Sequence, residues 1–375
     1  MKPGPIQARE QMQTTPSLPE ADSADRSRNR EVLSLSVCIA THERPLLLAK
    51  TLAALARQTR PAGEIIISDS SASVTSSALV ADFARQHPGL GVRRVASRRS
   101  ALPWQRWWAF SHSQGEVVLF LDDDVELQPE ALQLLLQNYE TPGLLGTNER
   151  VAGVGFVMSF ADNSRKERRP FSFEERWLKT SNLPSASVLP GGTTIPPKLA
   201  LSDGLVRVQR LSGGAMSFRR EILAKIGPLE RLYELYENRL GRGEDAVLSW
   251  YAGRQGALYI VTQALAIHPL DEQAKCSACA VAGWRLGMTE TWGRAHTMRW
   301  MAVSRSALWS EWSRVATLEI LRAIWWGLLK NPFRGNNWSR FAGAVYGTIR
   351  TLADWKSIPE TASVPPNNSC TLVPK

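Results

Sequence analysis

Leu119-Phe120-Leu121-Asp122-Asp123-Asp124-Val125 is the stretch of this chain that decides the fold. An apolar run from Val117 to Leu121 stops at three consecutive carboxylates, which repel one another and resist desolvation. A divalent cation that carries a diphosphate would satisfy them, and carboxylate oxygens suit Mg or Mn. The stretch therefore predicts a metal–diphosphate site at the carboxyl end of a buried strand, where open α/β sheets place their ligands.

The composition is that of a globular protein with a sizeable core. The chain has 375 residues, 43% of them hydrophobic, which is enough for two or three domains. The sequence contains no run of 18 or more apolar residues, so we expect no membrane-spanning helix. Residues 1–31 lack the apolar segment of a signal peptide. Four cysteines favour a reducing cytoplasm. We expect disordered tails at residues 1–31 and 357–375.

The positive charge is concentrated towards the C-terminus. Residues 275–356 contain 12 Lys or Arg against 4 Asp or Glu, a local excess of +8, and 9 of the 14 Trp. Basic residues interleaved with Trp are typical of a surface that binds an anionic bilayer, here the inner membrane face, and less often of one that binds nucleic acid. The same pattern fits a helical subdomain with Trp in its core and Arg in solvent. The sequence leaves both interpretations open.

Strand and helix patterns alternate along the first half of the chain. Apolar segments at 33–40, 64–68, 91–96 and 117–121 predict strands, and the stretches between and after them, to residue 139, have helical spacing. This alternation indicates a parallel sheet built from βαβ units. Further along, we expect strands at 151–160, 207–218 (broken by Gly213-Gly214), 258–261 and 264–267. Short helices are expected at 171–179, 221–226 and 245–255, and a helical region from residue 275 to about 355. The predicted fold class is α/β, a single mostly parallel sheet flanked by helices, with a C-terminal helical extension.

The order of these segments and of the polar motifs at their ends resembles the family 2 glycosyltransferases, with their A-type nucleotide-sugar-binding fold. The resemblance covers about residues 33–268 and implies a catalytic domain at 32–270. A nucleotide-sugar-binding half would span 32–147, an acceptor half 148–270, and a basic, Trp-rich helical region 271–356. It also implies a Rossmann-like sheet and an inverting sugar transfer.

Three segments resemble the family's nucleotide-binding loops. Thr41-His42-Glu43-Arg44-Pro45 resembles the loop that backs the base, which assigns Thr41, Glu43 and Arg44 to the nucleotide; the alternative is a plain strand-to-helix turn. Asp69 resembles the carboxylate that reads a uracil-type base, or else is a turn residue bonded to its own backbone. The second Asp and the Gly that usually accompany it are missing here, so the base stays open. Arg106 would contact a phosphate or the base, or lie on a helix surface.

The aspartate cluster resembles the family's Asp-x-Asp signature. The resemblance implies that Asp124 binds the metal, Mn or Mg, and that Asp122 and Asp123 lie near the ribose. Asp122 to Asp124 could otherwise form a turn or a helix cap. His268, which closes the resemblance, falls where related enzymes often have a metal-binding His, although a lone His at a strand end is commonly structural.

Two later segments resemble the acceptor side. In Gly213-Gly214 small residues would let the sugar approach the backbone, and the alternative is a bulge in a strand. Glu244-Asp245 resembles the Glu-Asp motif, in which the Asp is the general base and the Glu borders the pocket. A helix N-terminus would help to keep Asp245 ionised, and it also makes a capping role the competing interpretation.

The resemblance predicts a glycosyltransferase that acts on a nucleotide-sugar donor and a hydroxyl acceptor, a glycan or a lipid-linked sugar. His296-Thr297-Met298-Arg299-Trp300 is similar to the Gln-x-x-Arg-Trp of processive synthases but has His in place of Gln, so we expect a non-processive enzyme. Two alternatives remain. One is a non-catalytic membrane or binding protein with a degenerate transferase fold. The other is a sugar-phosphate nucleotidyltransferase. Such an enzyme should have a Gly-rich phosphate loop after its first strand, and the Thr41 to Pro45 loop is not Gly-rich.

Overall fold

The strand that ends at the aspartate cluster lies inside a single nine-stranded sheet in the computed structural model. The structure describes residues 32–141, 149–160, 177–178, 183–184, 186–195, 204–268, 280–325, 329 and 335–355. The predicted tails at 1–31 and 357–375 and most of the predicted helix at 171–179 lie outside these residues. The sheet and the helices belong to one compact unit, Leu33–Lys375.

The strands run in the order β3-β2-β1-β4-β8-β6-β9-β5, with β7 paired to β9. Their bounds are β1 (Leu35–Thr41), β2 (Glu64–Asp69), β3 (Val92–Ala96), β4 (Val117–Asp122), β5 (Glu126–Leu127), β6 (Val151–Phe160), β7 (Leu205–Val208), β8 (Ala215–Arg219) and β9 (Ala257–His268). The first four are mutually parallel, as the βαβ pattern predicts. In the second half β6 and β9 are parallel, whereas β8 is antiparallel to both β4 and β6.

Helices cover both faces of the sheet and continue beyond it. Their bounds are α1 (Pro45–Ala56), α2 (Thr75–Gln86), α3 (Leu102–Ser111), α4 (Ala131–Glu140), α5 (Arg220–Ile226), α6 (Glu230–Glu237), α7 (Glu244–Gly253), α8 (Ala280–Met288), α9 (Arg294–Met301), α10 (Arg305–Ala323) and α11 (Gly335–Asp354). A π-helical turn, Thr289–Gly293, joins α8 to α9. The prediction of one mostly parallel sheet flanked by helices, with a helical extension, is confirmed.

Alternate residues of the central strands enter two separate cores. Val37 and Leu119 point to a layer that contains α1 and α4, whereas Cys38 and Phe120 point to a layer that contains α3 and α7. Because successive side chains leave a strand on opposite faces, a strand covered on both sides must be apolar throughout. This is why these segments are continuous apolar runs rather than alternating ones.

The second half of the sheet differs from the sequence-based prediction in three places. The stretch 207–218 forms two strands, β7 and β8, because the chain leaves β9 and crosses to β4 through Gly213-Gly214. The two short strands predicted at 258–261 and 264–267 form one strand, β9, whose pairing with β6 shifts register after Val261. The helix α6 and the short strand β5 were not predicted.

Glycines allow the helices α8 and α11 to pack closely against each other. Contacts advance along both helices together, from Gly283 beside Asn336 to Gly287 beside Arg340, so the two helices run in the same direction. A methyl group on Gly287 would overlap the carbonyl oxygen of Arg340 and the amide of Ala344. Side chains larger than hydrogen would therefore push the helices apart. None of the described helices is long and apolar enough to cross a membrane.

Replacing Gly287 with Ala is expected to lower the free energy of unfolding by about 1–3 kcal/mol. The overlap with backbone atoms outweighs the gain in helix propensity of about 1 kcal/mol that Ala brings. Urea unfolding followed by circular dichroism measures the change. Gly89→Ala is the matched control, because no atom lies within 4 Å of the added methyl group, and it should change stability by no more than about 0.5 kcal/mol. Equal stability of both variants would contradict the close helix contact.

Candidate active site

The carboxyl ends of β1, β2 and β4 meet at one edge of the sheet because the three strands are parallel neighbours. Thr41, Asp69 and Asp122 are the last residues of these strands. The antiparallel strand β8 begins at the same edge, where the amide of Asp122 donates to the carbonyl oxygen of Gly214 at 3.0 Å. Residues from both halves of the chain thus converge on one site.

Asp123 is held by the loop that follows β1. Its Oδ2 accepts a hydrogen bond from the Thr41 hydroxyl at 2.6 Å, and its Oδ1 accepts one from the Arg44 guanidinium at 2.8 Å. The Thr51 hydroxyl also donates to its carbonyl oxygen. Burial raises the pKa of Asp123 to about 6, although Thr41 and Arg44 oppose the shift. Asp123 therefore fixes the loop to the strand end by using both of its carboxylate oxygens.

Asp124 and His268, the two predicted metal ligands, lie next to each other. Asp124 Oδ1 lies 3.4 Å from His268 Nε2, and Asp124 Oδ2 pairs with Arg44 at 2.8 Å. A carboxylate oxygen and an imidazole nitrogen at this separation could both be ligands of one divalent ion. Within the described residues, no group of three or more His, Cys, Asp or Glu side chains could hold a metal alone. Diphosphate oxygens and water would complete the coordination, as is usual for these ions.

Arg106 joins the strand-end carboxylates to the second half of the site. Its guanidinium donates to Asp122 Oδ1 at 2.8 Å, to Glu244 Oε1 at 2.6 Å and to the carbonyl oxygen of Gly213 at 2.7 Å. The residue is only 3% exposed. Burial opposes its charge, but Asp122 and Glu244 outweigh that effect and raise the pKa of Arg106. The guanidinium is thus a buried bridge between protein groups.

Glu244 and Asp245 are adjacent carboxylates whose proton affinities are driven apart. Burial and the charge of Asp245 raise the pKa of Glu244 against the effect of Arg106, and the Tyr236 hydroxyl donates to its Oε2. Burial would also raise the pKa of Asp245, but Arg210, at 2.8 Å from Oδ2, outweighs it and lowers that pKa. Asp245 is therefore kept ionised, whereas Glu244 takes up a proton more readily.

The N-terminus of α7 positions both carboxylates without using either as the cap. The N-cap residue is Gly243, with a φ of 88°, and Glu244 and Asp245 lie in the first turn. At this end of a helix the backbone dipole favours negative charge. The capping interpretation of Asp245 is therefore replaced by a first-turn position that leaves the carboxylate to Arg210.

Gly213 and Gly214 lie between the two carboxylate groups. A side chain on Gly213 would crowd the side chain of Asp245, with a Cβ–Cβ distance of 3.2 Å, and one on Gly214 would overlap Met158. Small residues are needed here because β8 enters the sheet between β4 and β6. The glycines therefore border the same space as Asp122 and Asp245.

Two predicted nucleotide-binding residues are engaged within the protein. Asp69 is buried, and its oxygens accept hydrogen bonds from the Ser71 amide at 2.8 Å and from Arg94 at 2.7 Å. Glu43, with a φ of 54°, accepts bonds from the amides of Ala72 and Ser73. Both residues tie the loop after β2 in place, which agrees with the turn interpretation of Asp69.

Arg210 and Tyr236, which contact the two carboxylates, are not among the residues predicted from the sequence. Arg210 also donates to the Thr194 hydroxyl at 3.0 Å. The available signal for Arg210 was a charged residue that follows an alternating segment and lies three residues before Gly213. Tyr236 lies in α6, whose apolar residues Leu232, Tyr233, Leu235 and Tyr236 follow helical spacing. Recognising that spacing would have predicted the helix but not the contact with Glu244.

The C-terminal helices brace the loops around this site. Glu311 of α10 accepts hydrogen bonds from the amides of Gly191 and Thr193 at 2.7 and 3.0 Å. Thr297 of α9 donates to the carbonyl oxygen of Arg242 at 2.6 Å, directly before the Gly243 cap. The extension therefore fixes the entry to α7 and with it the position of Asp245.

The parallel half-sheet, the carboxylates at its edge and the bracing helices define the A-type glycosyltransferase fold. GalNAc-T7, solved with UDP, GalNAc and Mn²⁺, has a TM-score of 0.50 at 15% identity, covering 88% of this chain and 59% of that one. The mannosyltransferase PcManGT from Pyrobaculum calidifontis, with GDP-Man and Mn²⁺, has a TM-score of 0.48 at 15% identity, covering 86% and 88%. S. aureus TarS 1-349 has 0.46 at 14%, covering 86% and 82%. At 15% identity the likeness to GalNAc-T7 shows the fold alone.

Part of the sequence matches a known family. Residues 36–188 match the family described as Glycosyl transferase family 2, which confirms the predicted resemblance over this segment. The matched segment contains the β1 loop, Asp69, Arg106 and the aspartate cluster. No curated protein matches the sequence.

Proposed function

We propose that this protein transfers a sugar from a nucleotide-sugar donor to a hydroxyl group of an acceptor, with inversion at the anomeric carbon. The observation that carries the proposal is the buried Arg106 bridge. It holds a strand-end carboxylate, Asp122, and a helix-end carboxylate, Glu244, on the two sides of one guanidinium. Donor and acceptor groups would then be fixed relative to each other, which is what a displacement at carbon requires.

The donor side of this proposal rests on the strand-end carboxylates. We assign Asp124 and His268 to a divalent metal, Mn or Mg, and Asp122 and Asp123 to the neighbourhood of the ribose. The ion, when bound, neutralises charge that develops on the diphosphate leaving group. GalNAc-T7, which has the same fold, was solved with UDP and Mn²⁺, in keeping with this assignment. Arg44, now paired with Asp123 and Asp124, supplies further positive charge at the same place.

The nucleotide would lie against the Thr41 to Arg44 loop. We assign Asp69 and Glu43 to this side as positioning residues, since their carboxylates hold the loop that follows β2. A direct contact of Asp69 with a base would require the surrounding loop to move, because the Asp69 side chain has no exposed surface. Arg106 acts in the same indirect way, through Asp122.

Asp245 is the proposed general base. It is ionised, and it would take the proton of the acceptor hydroxyl as that oxygen forms its bond to the anomeric carbon and the bond to the diphosphate breaks. Gly213, Gly214 and Glu244 border the space for the acceptor. We propose a glycan or a lipid-linked sugar as the acceptor and a single, non-processive transfer.

A panel of nucleotide sugars, incubated with Mn²⁺, with Mg²⁺ or with a chelator, tests the function. Metal-dependent release of nucleoside diphosphate from one donor is the expected result, since many transferases hydrolyse their donor slowly when no acceptor is present. Absence of both turnover and nucleotide affinity would favour a non-catalytic protein. Formation of a nucleotide sugar from a nucleoside triphosphate and a sugar phosphate would instead indicate a nucleotidyltransferase.

Replacing Arg210 with Gln is expected to move the acidic limb of the kcat/KM profile to higher pH. Arg210 lowers the pKa of Asp245, so its removal raises that pKa, and the ionised base is then lost sooner as the pH falls. The variant should lose more activity at pH 5 than at pH 8. Arg207→Gln is the matched control, because that exposed arginine pairs with Glu149 at the surface. An unshifted profile in Arg210→Gln would argue against Asp245 as the base.

A further inference from the structure

The outer face of α11 is apolar although it faces solvent. We define this outer face as Trp338, Tyr346, Ile349 and Leu352, which are between 47% and 59% exposed. Their spacing of eight, three and three residues places them on one side of the helix. On the opposite side, Gly343, Ala344, Gly347 and Thr351 are buried. The large apolar side chains of α11 are thus concentrated on the side that faces solvent, whereas its buried side consists of small residues. An apolar helix face is normally covered, and here the structure leaves it open.

Neighbouring helices add exposed apolar residues beside the outer face. Trp284 of α8 packs against Tyr346 with ring centroids 5.3 Å apart, and Val281 is exposed one turn before it. Leu321 and Trp325 are exposed at the end of α10. That end is tied to the start of α11, because Glu319 receives two hydrogen bonds from Arg340. Val281 and Trp284 therefore extend the outer face onto α8, and the outer face is not a set of isolated side chains.

The stretch that contains these helices has an excess of positive charge. Residues 275–356 contain 12 basic residues against four acidic ones. Three of the four, Glu290, Glu311 and Glu319, are at most 7% exposed and accept hydrogen bonds from arginines or backbone amides. Little negative charge is left at the surface of these helices to offset the remaining basic groups. A partner that covers the outer face would therefore also meet a segment with an excess of positive charge.

We propose that the outer face docks on the surface of an anionic lipid bilayer, with α11 lying in the plane of the interface. Trp and Tyr favour the boundary between headgroups and acyl chains, and arginine favours anionic lipid. A second copy of the chain would bring two positive patches together, and a nucleic acid would leave the apolar side chains uncovered. This docking is independent of the proposed sugar transfer.

Co-sedimentation of the full chain with vesicles tests the proposal. We expect binding to phosphatidylcholine vesicles with about 30% phosphatidylglycerol, and binding at least about tenfold weaker to pure phosphatidylcholine or at 0.5 M salt. Ile349→Glu should weaken the binding about tenfold or more, because it removes an apolar anchor and adds negative charge. Val74→Glu is the matched control: Val74 is 78% exposed and Ile349 59%, but Val74 lies beside α2, far along the chain from α11. That variant should bind as the unmodified chain does.

Leu352→Glu repeats the test at a second position of the outer face, and circular dichroism verifies that each variant is folded. Failure of the unmodified chain to bind anionic vesicles would overturn the proposal. Equal binding by the folded Ile349→Glu and Leu352→Glu variants would overturn the assignment to the outer face. A dimer in size-exclusion chromatography that dissociates in Ile349→Glu, without vesicle binding, would show that a second copy is the partner.

Discussion

Asp245→Asn is expected to lower kcat for sugar transfer by about 10²–10⁴-fold, the usual contribution of a general base. The amide cannot accept the proton of the acceptor hydroxyl, whereas its size and its place in the first turn of α7 are unchanged. Donor binding, which we assign to the Asp122 to Asp124 side, should stay within about twofold of its original value. Steady-state kinetics together with calorimetric titration of the nucleotide in Mn²⁺ separates the two effects.

The controls for Asp245→Asn use other carboxylates of the chain. Asp82→Asn, on the exposed surface of α2 where it pairs with Arg85, should leave kcat unchanged. Glu244→Gln should retain more activity than Asp245→Asn if Glu244 only borders the pocket. Turnover of Asp245→Asn at the original rate would exclude Asp245 as the base. Loss of nucleotide affinity in the same variant would move Asp245 to the donor side.

The first half of the fold follows closely from the sequence because its pattern is local. Each buried strand is a short apolar run, each helix has its own spacing, and parallel pairing follows from their alternation. The second half depends on long-range pairing. Strand β8 joins β4, almost 100 residues earlier in the chain, and one continuous β9 reaches across β6, β7 and β5. No local pattern specifies these partners, which is why β7 and β8 were merged and β9 was divided.

The site also combines features that the sequence shows locally with contacts that it does not show. Three aspartates after an apolar strand, and Glu244-Asp245 before a helix, carry their electrostatic signature in the sequence. The contacts that set their protonation do not. Arg210 lies 35 residues from Asp245, and Arg106 lies 138 residues from Glu244. A sequence can therefore indicate which carboxylates do chemistry while leaving open which arginine holds each one ionised.

Arg106→Met is expected to lower the free energy of unfolding by about 3–5 kcal/mol, the range for removing one partner of a buried ion pair. Methionine fills much of the volume, but Asp122 Oδ1, Glu244 Oε1 and the Gly213 carbonyl oxygen lose the hydrogen bonds that Arg106 donates. A buried carboxylate that loses its cation costs more than the pair contributed, because nothing then offsets its desolvation. Equilibrium unfolding in urea at pH 8 measures the loss. Arg85→Met, at an exposed pair on α2, should cost no more than about 1 kcal/mol.

The pH dependence distinguishes lost charge from lost packing in Arg106→Met. Removal of the guanidinium raises further the pKa values of Asp122 and Glu244, which are already above their ordinary values. A carboxyl group with a raised folded-state pKa stabilises the protein while it is protonated, and this contribution is lost as the pH rises through that pKa. The destabilisation should therefore be smaller at pH 5 than at pH 8. Glu244→Gln in the Arg106→Met background should recover part of the loss, with a coupling of at least about 1 kcal/mol. A loss that is independent of pH and unaffected by Glu244→Gln would mean that Arg106 fills space and does not bridge the two halves of the site.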